Sequence, residues 1–267
     1  MSSAPRALIA GLGLIGGSIG MALRARGWRV AYVDPNVELK DAQRAGAADE
    51  RAESLDTDAE IVIIATPVDV AIKLVATRYP GAVTSVCSVM QPIRDAAKDE
   101  RFIAGHPLAG SQEHGLRAAR ADLLRDRVWF VEKHADLVDR VVKDCGALIE
   151  IVSPNEHDTA VALTSHLPQL LSTALAAYLD QESEQRAASG ERDLRDFAGP
   201  GLETFLRLAS SDASVWSSVF EANRDIVMPH MQKVMEIARK ILDGDTSTFS
   251  AAQRFSRSLL AARRSPK

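Results

Sequence analysis

The chain has little cysteine, few aromatic residues, no excess of positive charge and no long hydrophobic run. Two cysteines among 267 residues cannot form a disulfide framework, so the sequence predicts a protein of the cytoplasm. The apolar runs are broken well before the about 18 residues that a membrane span requires, and we expect no transmembrane helix. A net charge of −4 lacks the basic footprint of nucleic-acid binding. No histidine or cysteine spacing is typical of a metal site, so no metal is expected.

What remains is the composition of an ordinary globular protein. Hydrophobic residues make up 46% and charged residues 25% of the chain, which excludes a disordered protein. Aromatic residues are only 5%, so the core must consist mostly of Ala, Val, Leu and Ile. At roughly 100–200 residues per domain, the length predicts one large or two modest domains.

The first half of the chain alternates short apolar runs with helical patterns. The predicted strands are Ala7–Ala10, Arg29–Asp34, Ile61–Thr66, Ala82–Ser88, Phe102–Gly105, Val128–Val131 and Leu148–Ser153. Most are continuously apolar, which is typical of strands buried on both faces of a parallel sheet. Spacers such as Val37–Ala45 and Val68–Arg78 are long enough for crossover helices. The pattern therefore predicts an α/β fold with a Rossmann-like, doubly wound and mostly parallel sheet.

The second half shows no convincing strand pattern from Pro154 onward. Helical patterns cover Glu156–Leu179, Ser214–Leu242 and Thr246–Arg263. We expect the second of these to bend at Pro229, because proline removes a backbone donor. The charged segment Glu182–Arg195 fits either an exposed helix or a loose connection. The sequence thus predicts a dinucleotide-binding domain over residues 1–153 and an all-helical domain over residues 154–267.

A glycine motif, G-x-G-x-x-G, lies between the first predicted strand and a helical pattern. In such a turn Gly11 permits the tight bend, Gly13 lets a pyrophosphate approach the backbone, and Gly16 lets the helix pack closely on the strand. The helix N-terminus would hold the phosphate charge. The predicted cofactor contacts are Gly11, Leu12, Gly13, Leu14, Ile15 and Gly16. A glycine-rich turn without a ligand is the alternative.

Two further segments complete the predicted cofactor site. Asp34 ends the second predicted strand, where a carboxylate can accept hydrogen bonds from the ribose hydroxyls and would repel a 2′-phosphate. This predicts NAD rather than NADP. Thr66, Pro67 and Val68 end the third predicted strand and should lie at the carboxyl edge of the sheet, beside the cofactor. A plain loop terminator is the alternative interpretation of Pro67.

The segment GHPLAGS places His106 directly after the predicted strand Phe102–Gly105. Ligands bind at the carboxyl edge of such a sheet, and the ordinary pKa of histidine suits a general base near neutral pH. A loop histidine with satisfied hydrogen bonds is the alternative. The flanking glycines and the position at the sheet edge favour a functional role.

Three residues of the helical half stand out less clearly. His166, in the segment SHLPQ, is best interpreted as a buried histidine bonded to the backbone of a kinked helix. Arg207 fits a surface residue with a buried stem or a clamp for a carboxylate equally well. Trp216 follows Asp212, a candidate N-cap, and core packing is its stronger interpretation.

The chain contains, in this order, the segments GLGLIGGS, ATPV, GHPLAGSQEHG, ADLL, HD…SHLP and FAGPG…R-LASSD…W…F-EANR. In these segments it resembles the prephenate/arogenate dehydrogenases of tyrosine biosynthesis. The resemblance extends from roughly Arg6 to Leu260. Members of that family oxidise a cyclohexadienyl ring with NAD(P): a hydride leaves the carbon that bears the hydroxyl, and the ring carboxylate departs as CO2. The resemblance implies an NAD-dependent prephenate dehydrogenase that produces 4-hydroxyphenylpyruvate. Arogenate dehydrogenase, a related dehydrogenase with another substrate, and an NAD-binding sensor without catalysis are the alternatives.

The resemblance also assigns roles to residues. His106 matches the histidine that accepts the hydroxyl proton, and Ser88 matches the serine beside the cofactor that hydrogen-bonds that hydroxyl and that histidine. Arg207 matches the arginine that pairs with a carboxylate of the dianionic substrate. The implied additional substrate contacts are Gln112, Gln169, Pro200 and Trp216. The resemblance further implies a homodimer through the helical domain, with the active site in the cleft between the domains.

The chain departs from the family at several of these positions. Residues Ser85–Met90 read SVCSVM where members commonly have D-x-G-S-V-K, so Cys87 adds a side chain near the expected nicotinamide. Gln112 stands where many members have an acidic residue, and Gln169 where many have a second histidine. A neutral amide attracts an ammonium group less than a carboxylate does, which favours prephenate over arogenate.

Overall fold

The computed structural model describes residues 4–111 and 113–264, so the predicted substrate contact Gln112 lies outside the described residues. The strands are β1 (Arg6–Ala10), β2 (Arg29–Val33), β3 (Glu50–Arg51), β4 (Ile61–Ile64), β5 (Ala82–Ser85), β6 (Gly105–Pro107), β7 (Val128–Val131) and β8 (Leu148–Ile151). The α-helices are α1 (Leu14–Ala25), α2 (Leu39–Ala45), α3 (Val68–Val75), α4 (Gln91–Ala96), α5 (Asp136–Asp144), α6 (Pro154–Val161), α7 (Leu167–Ala188), α8 (Pro200–Leu206), α9 (Ala213–Ala222), α10 (Arg224–Leu242) and α11 (Ser247–Arg264).

The strands form two sheets. Five parallel strands pair in the order β3-β2-β1-β4-β5. This is the doubly wound order, in which β2 and β3 lie on one side of β1 and β4 and β5 lie on the other. A smaller sheet pairs β6 with β7 in antiparallel and β7 with β8 in parallel orientation. The predicted Rossmann-like, mostly parallel α/β fold is confirmed.

Both faces of the larger sheet are covered, which explains why its strands are continuously apolar. Along β1, Ala7 and Ile9 pack with α1 and α5 on one face, whereas Leu8 and Ala10 pack with α3 on the other. Val219, in α9 of the helical half, packs on that second face. The first sheet and part of the helical half therefore share one core.

The strand predicted at Phe102–Gly105 is misplaced, because only Gly105 lies in the observed strand. The strand is β6, and Ile103 makes only a single bridge to Thr84 of β5. The apolar run before β6 is buried core rather than a paired strand, a distinction that hydrophobicity alone does not make. His106 therefore lies inside a strand, opposite Phe130 of β7, and not in the loop after it.

The helix predicted at Glu156–Leu179 is α6 and α7, joined by the π-helical turn Ala162–His166. Pro168 follows this turn and has no N–H to donate to the preceding turn, which favours the wider geometry. The ambiguous segment Glu182–Arg195 is helical through Ala188 and continues through a turn.

The stretch predicted as one helix over Ser214–Leu242 consists of two. It breaks at Asn223, between α9 and α10, whereas Pro229 lies inside α10. Asn223 has the non-helical dihedrals φ −112 and ψ 16, and its side chain hydrogen-bonds the backbone carbonyl of Asp158 and the ring of His166. Tertiary hydrogen bonds thus set the break, and a sequence pattern does not report them. The third predicted helix, Thr246–Arg263, is confirmed as α11.

The chain divides after Arg224 into two compact units. The first contains both sheets and the helices through α9, so the change from strands to helices after Ser153 lies within one unit. The second contains most of α10 and all of α11, and it exposes large apolar side chains at Met235, Ile237, Leu242, Phe249, Phe255, Leu259 and Leu260. Across the described residues, no helix has the length and apolar content that crossing a bilayer requires.

Candidate active site

The glycine turn between β1 and α1 packs closely against the neighbouring backbone. Gly11 has φ +87, and a Cβ there would lie 2.6 Å from the carbonyl oxygen of Ala65. A Cβ on Gly16 would lie 2.0 Å from the carbonyl oxygen of Gly11. The N–H of Gly11 donates to the Val33 carbonyl at 2.9 Å, which ties the turn to the end of β2. Two of the glycines are therefore required by the backbone itself.

Gly13 differs from both, because no atom of the described residues, apart from those of its own segment of chain, lies within 4 Å of the position that its Cβ would take. It is the N-cap of α1, and in the part of the chain that the structure describes no side chain caps this helix or places an acidic group in its first turn. Leu12 is fully buried, and Leu14 and Ile15 are partly buried. The turn thus offers space and unpaired N–H groups at a helix N-terminus, which fits a pyrophosphate.

Asp34 directly follows β2, beside this turn. Its Oδ2 accepts the N–H of Leu12 and its Oδ1 accepts the N–H of Asn36, both at 2.8 Å. Each carboxylate oxygen keeps lone-pair capacity for a further donor. An open cavity of about 600 Å³ adjoins Asp34 and is lined by Val33, Asp34, Pro35, Arg51, Ala52 and Glu53. A carboxylate at such a cavity fits the ribose of a dinucleotide.

The segment after β4 lies at the same carboxyl edge. Thr66 is partly exposed, Pro67 is exposed and begins α3 as its N-cap, and Val68 is buried. The thiol of Cys87 donates to the carbonyl of Thr66 at 3.5 Å, and its burial raises its pKa to about 12. Cys87 therefore packs in the core beneath this edge. That its side chain lies near the nicotinamide stays a prediction.

Ser88 is the one residue of the segment 85–90 whose side chain is not buried. Its neighbours Val86, Cys87, Val89 and Met90 belong to the core. The hydrogen bond from Ser88 to His106 that the resemblance implies is not among those of the described residues, and it stays a prediction.

His106 is partly exposed, and its ring contacts a second histidine. Its Nδ1 lies 3.0 Å from Nε2 of His157, with the two rings perpendicular. Nδ1 of His157 lies 2.7 Å from Oδ1 of Asp158. Burial, together with the nearby His157 and His166, lowers the pKa of His106 to about 3. The imidazole is therefore neutral at physiological pH.

Asp158, in α6, is the last residue of this series, and its carboxylate contacts the backbone at the start of α4. Its Oδ1 accepts the N–H of Met90 and its Oδ2 that of Gln91, both at 2.8 Å. His157 and Asp158 are 2% and 1% exposed. The sequence analysis includes this His-Asp pair among the segments of the resemblance but assigns neither residue a role. The available signal was a His-Asp pair in the first helix after β8.

His166 is buried, as predicted, but its partner is a side chain. Its Nδ1 lies 3.0 Å from Nδ2 of Asn223, and burial lowers its pKa to about 4. Trp216 packs edge-on against His166 and also contacts Phe220, in agreement with the core-packing interpretation.

Arg207 begins the 3-10 turn Arg207–Ser210 after α8, and its side chain is exposed. Within the part of the chain that the structure describes, its guanidinium has no hydrogen bond or ion pair. Buried Gln169 donates from Nε2 to the carbonyl of Leu208 at 2.8 Å, so α7 holds the turn that carries the arginine. Pro200 is exposed at the first position of α8.

The geometry agrees with what comparison with known proteins finds. A family model described as the prephenate dehydrogenase nucleotide-binding domain matches residues 19–151, and one described as the prephenate dehydrogenase dimerization domain matches residues 153–251. A probable prephenate dehydrogenase from Streptomyces niveus, NovF, is 31% identical over 266 residues, which covers 90% of this chain and 71% of that protein. The prephenate dehydrogenase of Bacillus subtilis is 29% identical over 258 residues, which covers 88% of this chain and 68% of that protein.

A solved structure is similar over nearly its whole length. The prephenate dehydrogenase of Aquifex aeolicus, in complex with hydroxyphenyl propionate and NAD+, has 26% sequence identity and a TM-score of 0.79, and the match covers 97% of this chain and 99% of that one. Two family models that together span most of the chain, and a relative 31% identical to it, show that the chain belongs to the prephenate dehydrogenase family.

Proposed function

We propose that this protein catalyses the NAD-dependent oxidative decarboxylation of prephenate to 4-hydroxyphenylpyruvate. The observation that carries the proposal is His106, a neutral, partly exposed imidazole in β6 of the smaller sheet, next to the carboxyl end of β5 of the dinucleotide-type sheet. The names of the relatives support the substrate, and the NAD+ complex of the Aquifex aeolicus protein supports the cofactor.

The glycine turn and Asp34 would hold the cofactor. Gly13 and the N-terminus of α1 offer the space and the N–H groups for its pyrophosphate, and the Asp34 carboxylate would accept hydrogen bonds from a ribose. The same carboxylate would repel a 2′-phosphate, so NAD is preferred to NADP. The chemistry that NAD supplies when bound is acceptance of a hydride from the ring carbon that bears the hydroxyl.

His106 would accept the proton of that hydroxyl as the carbonyl forms. The ring carboxylate then leaves as CO2, and aromatisation of the ring drives the reaction. A base must be unprotonated before it can act, and the lowered pKa of His106 ensures this at neutral pH. Ser88 would hydrogen-bond the same hydroxyl.

Arg207 would bind a carboxylate of the substrate, because its exposed guanidinium is not engaged by any described residue. Gln169 would act on the substrate through this arginine, since its amide already binds the Leu208 carbonyl. Pro200, Trp216 and Gln112 are proposed as further contacts on the resemblance alone.

We also propose that the protein is a cytoplasmic homodimer that associates through its helical part. The description of the matched family model as a dimerization domain and the exposed apolar side chains of α10 and α11, such as Phe249 and Phe255, support the dimer. Cys87 and Cys145 are free, buried thiols, as in proteins of reducing compartments. Sedimentation equilibrium tests the dimer, and a monomer at micromolar concentration would contradict it.

The decisive experiment is a steady-state comparison of prephenate and arogenate, each with NAD and with NADP. We expect the highest kcat/KM for prephenate with NAD, measured by the absorbance of the reduced cofactor and by CO2 release. Faster turnover of arogenate would indicate the arogenate dehydrogenase instead. NAD binding without turnover of either substrate would indicate a sensor.

His106→Asn tests the role of the base. It should lower kcat by about 10²–10⁴-fold and leave the affinity for NAD nearly unchanged. The matched control is His134→Asn, because the side chain of His134 is 68% exposed and pairs only with Asp139 among the described residues. That control should retain full activity.

A further inference from the structure

We infer that His157 and Asp158 are positioning residues, which hold His106 in the tautomer whose Nε2 carries no proton. The inference deepens the proposed function and rests on it for the role of His106. Three side chains form a continuous series: Asp158 Oδ1 to His157 Nδ1 at 2.7 Å, and His157 Nε2 to His106 Nδ1 at 3.0 Å.

The series is anchored at Asp158. Its Oδ1 accepts a hydrogen bond from the N–H of Met90, and its Oδ2 accepts one from the N–H of Gln91. A backbone N–H can only donate, so both oxygens act as acceptors here. The Nδ1 of His157 is the third group that contacts this carboxylate. As an ionised carboxylate Asp158 accepts from all three groups and has no proton to give to His157.

The tautomer of each histidine follows from this anchor. An ionised carboxylate only accepts, so Nδ1 of His157 carries its proton and Nε2 of a neutral His157 is an acceptor. The contact at 3.0 Å then requires a proton on Nδ1 of His106. Nε2 of His106 is left with a free lone pair, as a base that accepts the hydroxyl proton requires.

The opposite arrangement would place two protons on His157 and one on Nε2 of His106, which could not then act as a base. It would also put a cationic ring at a position that is only 2% exposed. Burial disfavours the charged form of histidine, and it lowers the pKa values of the neighbouring His106 and His166.

The carboxylate of Asp158 also holds the segment 85–90, which carries Ser88. Met90 and Gln91 end the segment 85–90 and begin α4, and Ser88 lies two residues before Met90. Asp158 therefore holds both the backbone next to Ser88 and, through His157, the ring of His106. A loss at Asp158 should disturb both, whereas a loss at His157 should disturb His106 alone.

The kinetic test compares His157→Leu with His157→Gln. Leucine has no acceptor for Nδ1–H of His106, whereas the glutamine amide oxygen offers one. We expect His157→Leu to lower kcat for prephenate by about 10- to 100-fold, less than removal of the base itself, with KM changed by less than about 3-fold. His157→Gln should recover most of the loss. An unchanged kcat in His157→Leu would overturn the inference.

Thr84→Val is the matched control for loss of a buried hydrogen bond nearby. Thr84 is fully buried, and its Oγ1 donates to the carbonyl of Ile103 at 2.8 Å, close to β6 but outside the series. It should keep the wild-type kcat. An equal loss of kcat in this variant would show a general packing effect and would contradict the positioning role.

A spectroscopic readout separates this inference from the proposed function. In protein labelled with 15N-histidine, the signals of His106 are those that vanish in His106→Asn. We expect a protonated Nδ1 and an unprotonated Nε2 in the wild type without substrate, and a shift toward protonated Nε2 in His157→Leu. A proton on Nε2 in the wild type, or a tautomer that His157→Leu does not change, would overturn the inference whatever the substrate proves to be.

Discussion

Alanine substitutions at Gly13 and Gly16 should separate cofactor binding from folding. The two glycines lie three residues apart in the same turn, and the change adds the same single carbon at each. Around Gly13 no described atom outside its own segment of chain lies within 4 Å of the new Cβ, whereas at Gly16 the new Cβ would lie 2.0 Å from a backbone oxygen.

The two substitutions should differ in their effect on the free energy of unfolding. Gly13 has φ −81 and ψ −150, which an alanine adopts without strain, and the lower entropy of the unfolded chain favours the variant by about 0.4–1 kcal/mol. Since alanine is a poorer N-cap than glycine by a similar amount, the net change in Gly13→Ala should be less than about 1 kcal/mol. Gly16→Ala gains up to about 1 kcal/mol in helix propensity. It must also move a helix or a turn by roughly 1 Å, and since backbone yields less than a side chain does, we expect a net destabilisation of about 2–3 kcal/mol.

Thermal unfolding and NAD titration measure the two effects. At about 2–4 °C per kcal/mol, Gly16→Ala should lower Tm by several degrees. Gly13→Ala should keep Tm close to that of the wild type. It should weaken the binding of NAD by about 10-fold or more, which is about 1.4 kcal/mol, because its Cβ fills the space left for the pyrophosphate. If Gly13→Ala bound NAD like the wild type, or lost as much stability as Gly16→Ala, the assignment of this turn would be refuted.

The other predictions concern charge and pH. Asp34→Asn should lower the preference for NAD over NADP by about 10-fold or more in kcat/KM, because a 2′-phosphate would meet a neutral amide in a cavity that also holds Arg51. Arg207→Ala should raise KM for prephenate by about 10- to 100-fold with little change in NAD affinity, and Arg207→Lys should recover only part. The kcat/KM of the free enzyme should fall on acidification only well below the ordinary histidine pKa of about 6.5, since protonation of His106 occurs near its lowered pKa of about 3. The free energy of unfolding should decline as pH falls from about 6.5 toward 4, because His166 takes up a proton more readily when unfolded than at its folded pKa of about 4.

The sequence predicted the larger sheet well, because burial on both faces leaves a continuous apolar signal in β1 and β4. It missed β3, which consists of only Glu50 and Arg51 and has no apolar residue. It misplaced the strand at His106 because pairing with β7, more than twenty residues away in sequence, sets where that strand lies. Local patterns report burial, whereas such pairings depend on the assembled fold.

The candidate site divides in the same way. Gly11, Asp34 and His106 were predicted as site residues because each ends or directly follows a predicted strand in a recognisable segment of the chain. The roles of His157 and Asp158 were not predicted, because their contacts with His106 and Met90 span 51 and 68 residues. Predicting them would require knowing that α6 packs against the start of α4.

The anchoring by Asp158 also explains why the unusual residues around Ser88 do not argue against activity. Family members commonly have Asp, Gly and Lys at positions where this chain has Ser85, Cys87 and Met90. Here the backbone N–H of Met90 is held by the carboxylate, and the thiol of Cys87 packs beneath the sheet edge. Since a backbone amide is the same in every residue but proline, side chains can change on the buried side of this segment while its path is kept. Ser88 then stays the one side chain of residues 85–90 that is not buried, whichever apolar residues surround it.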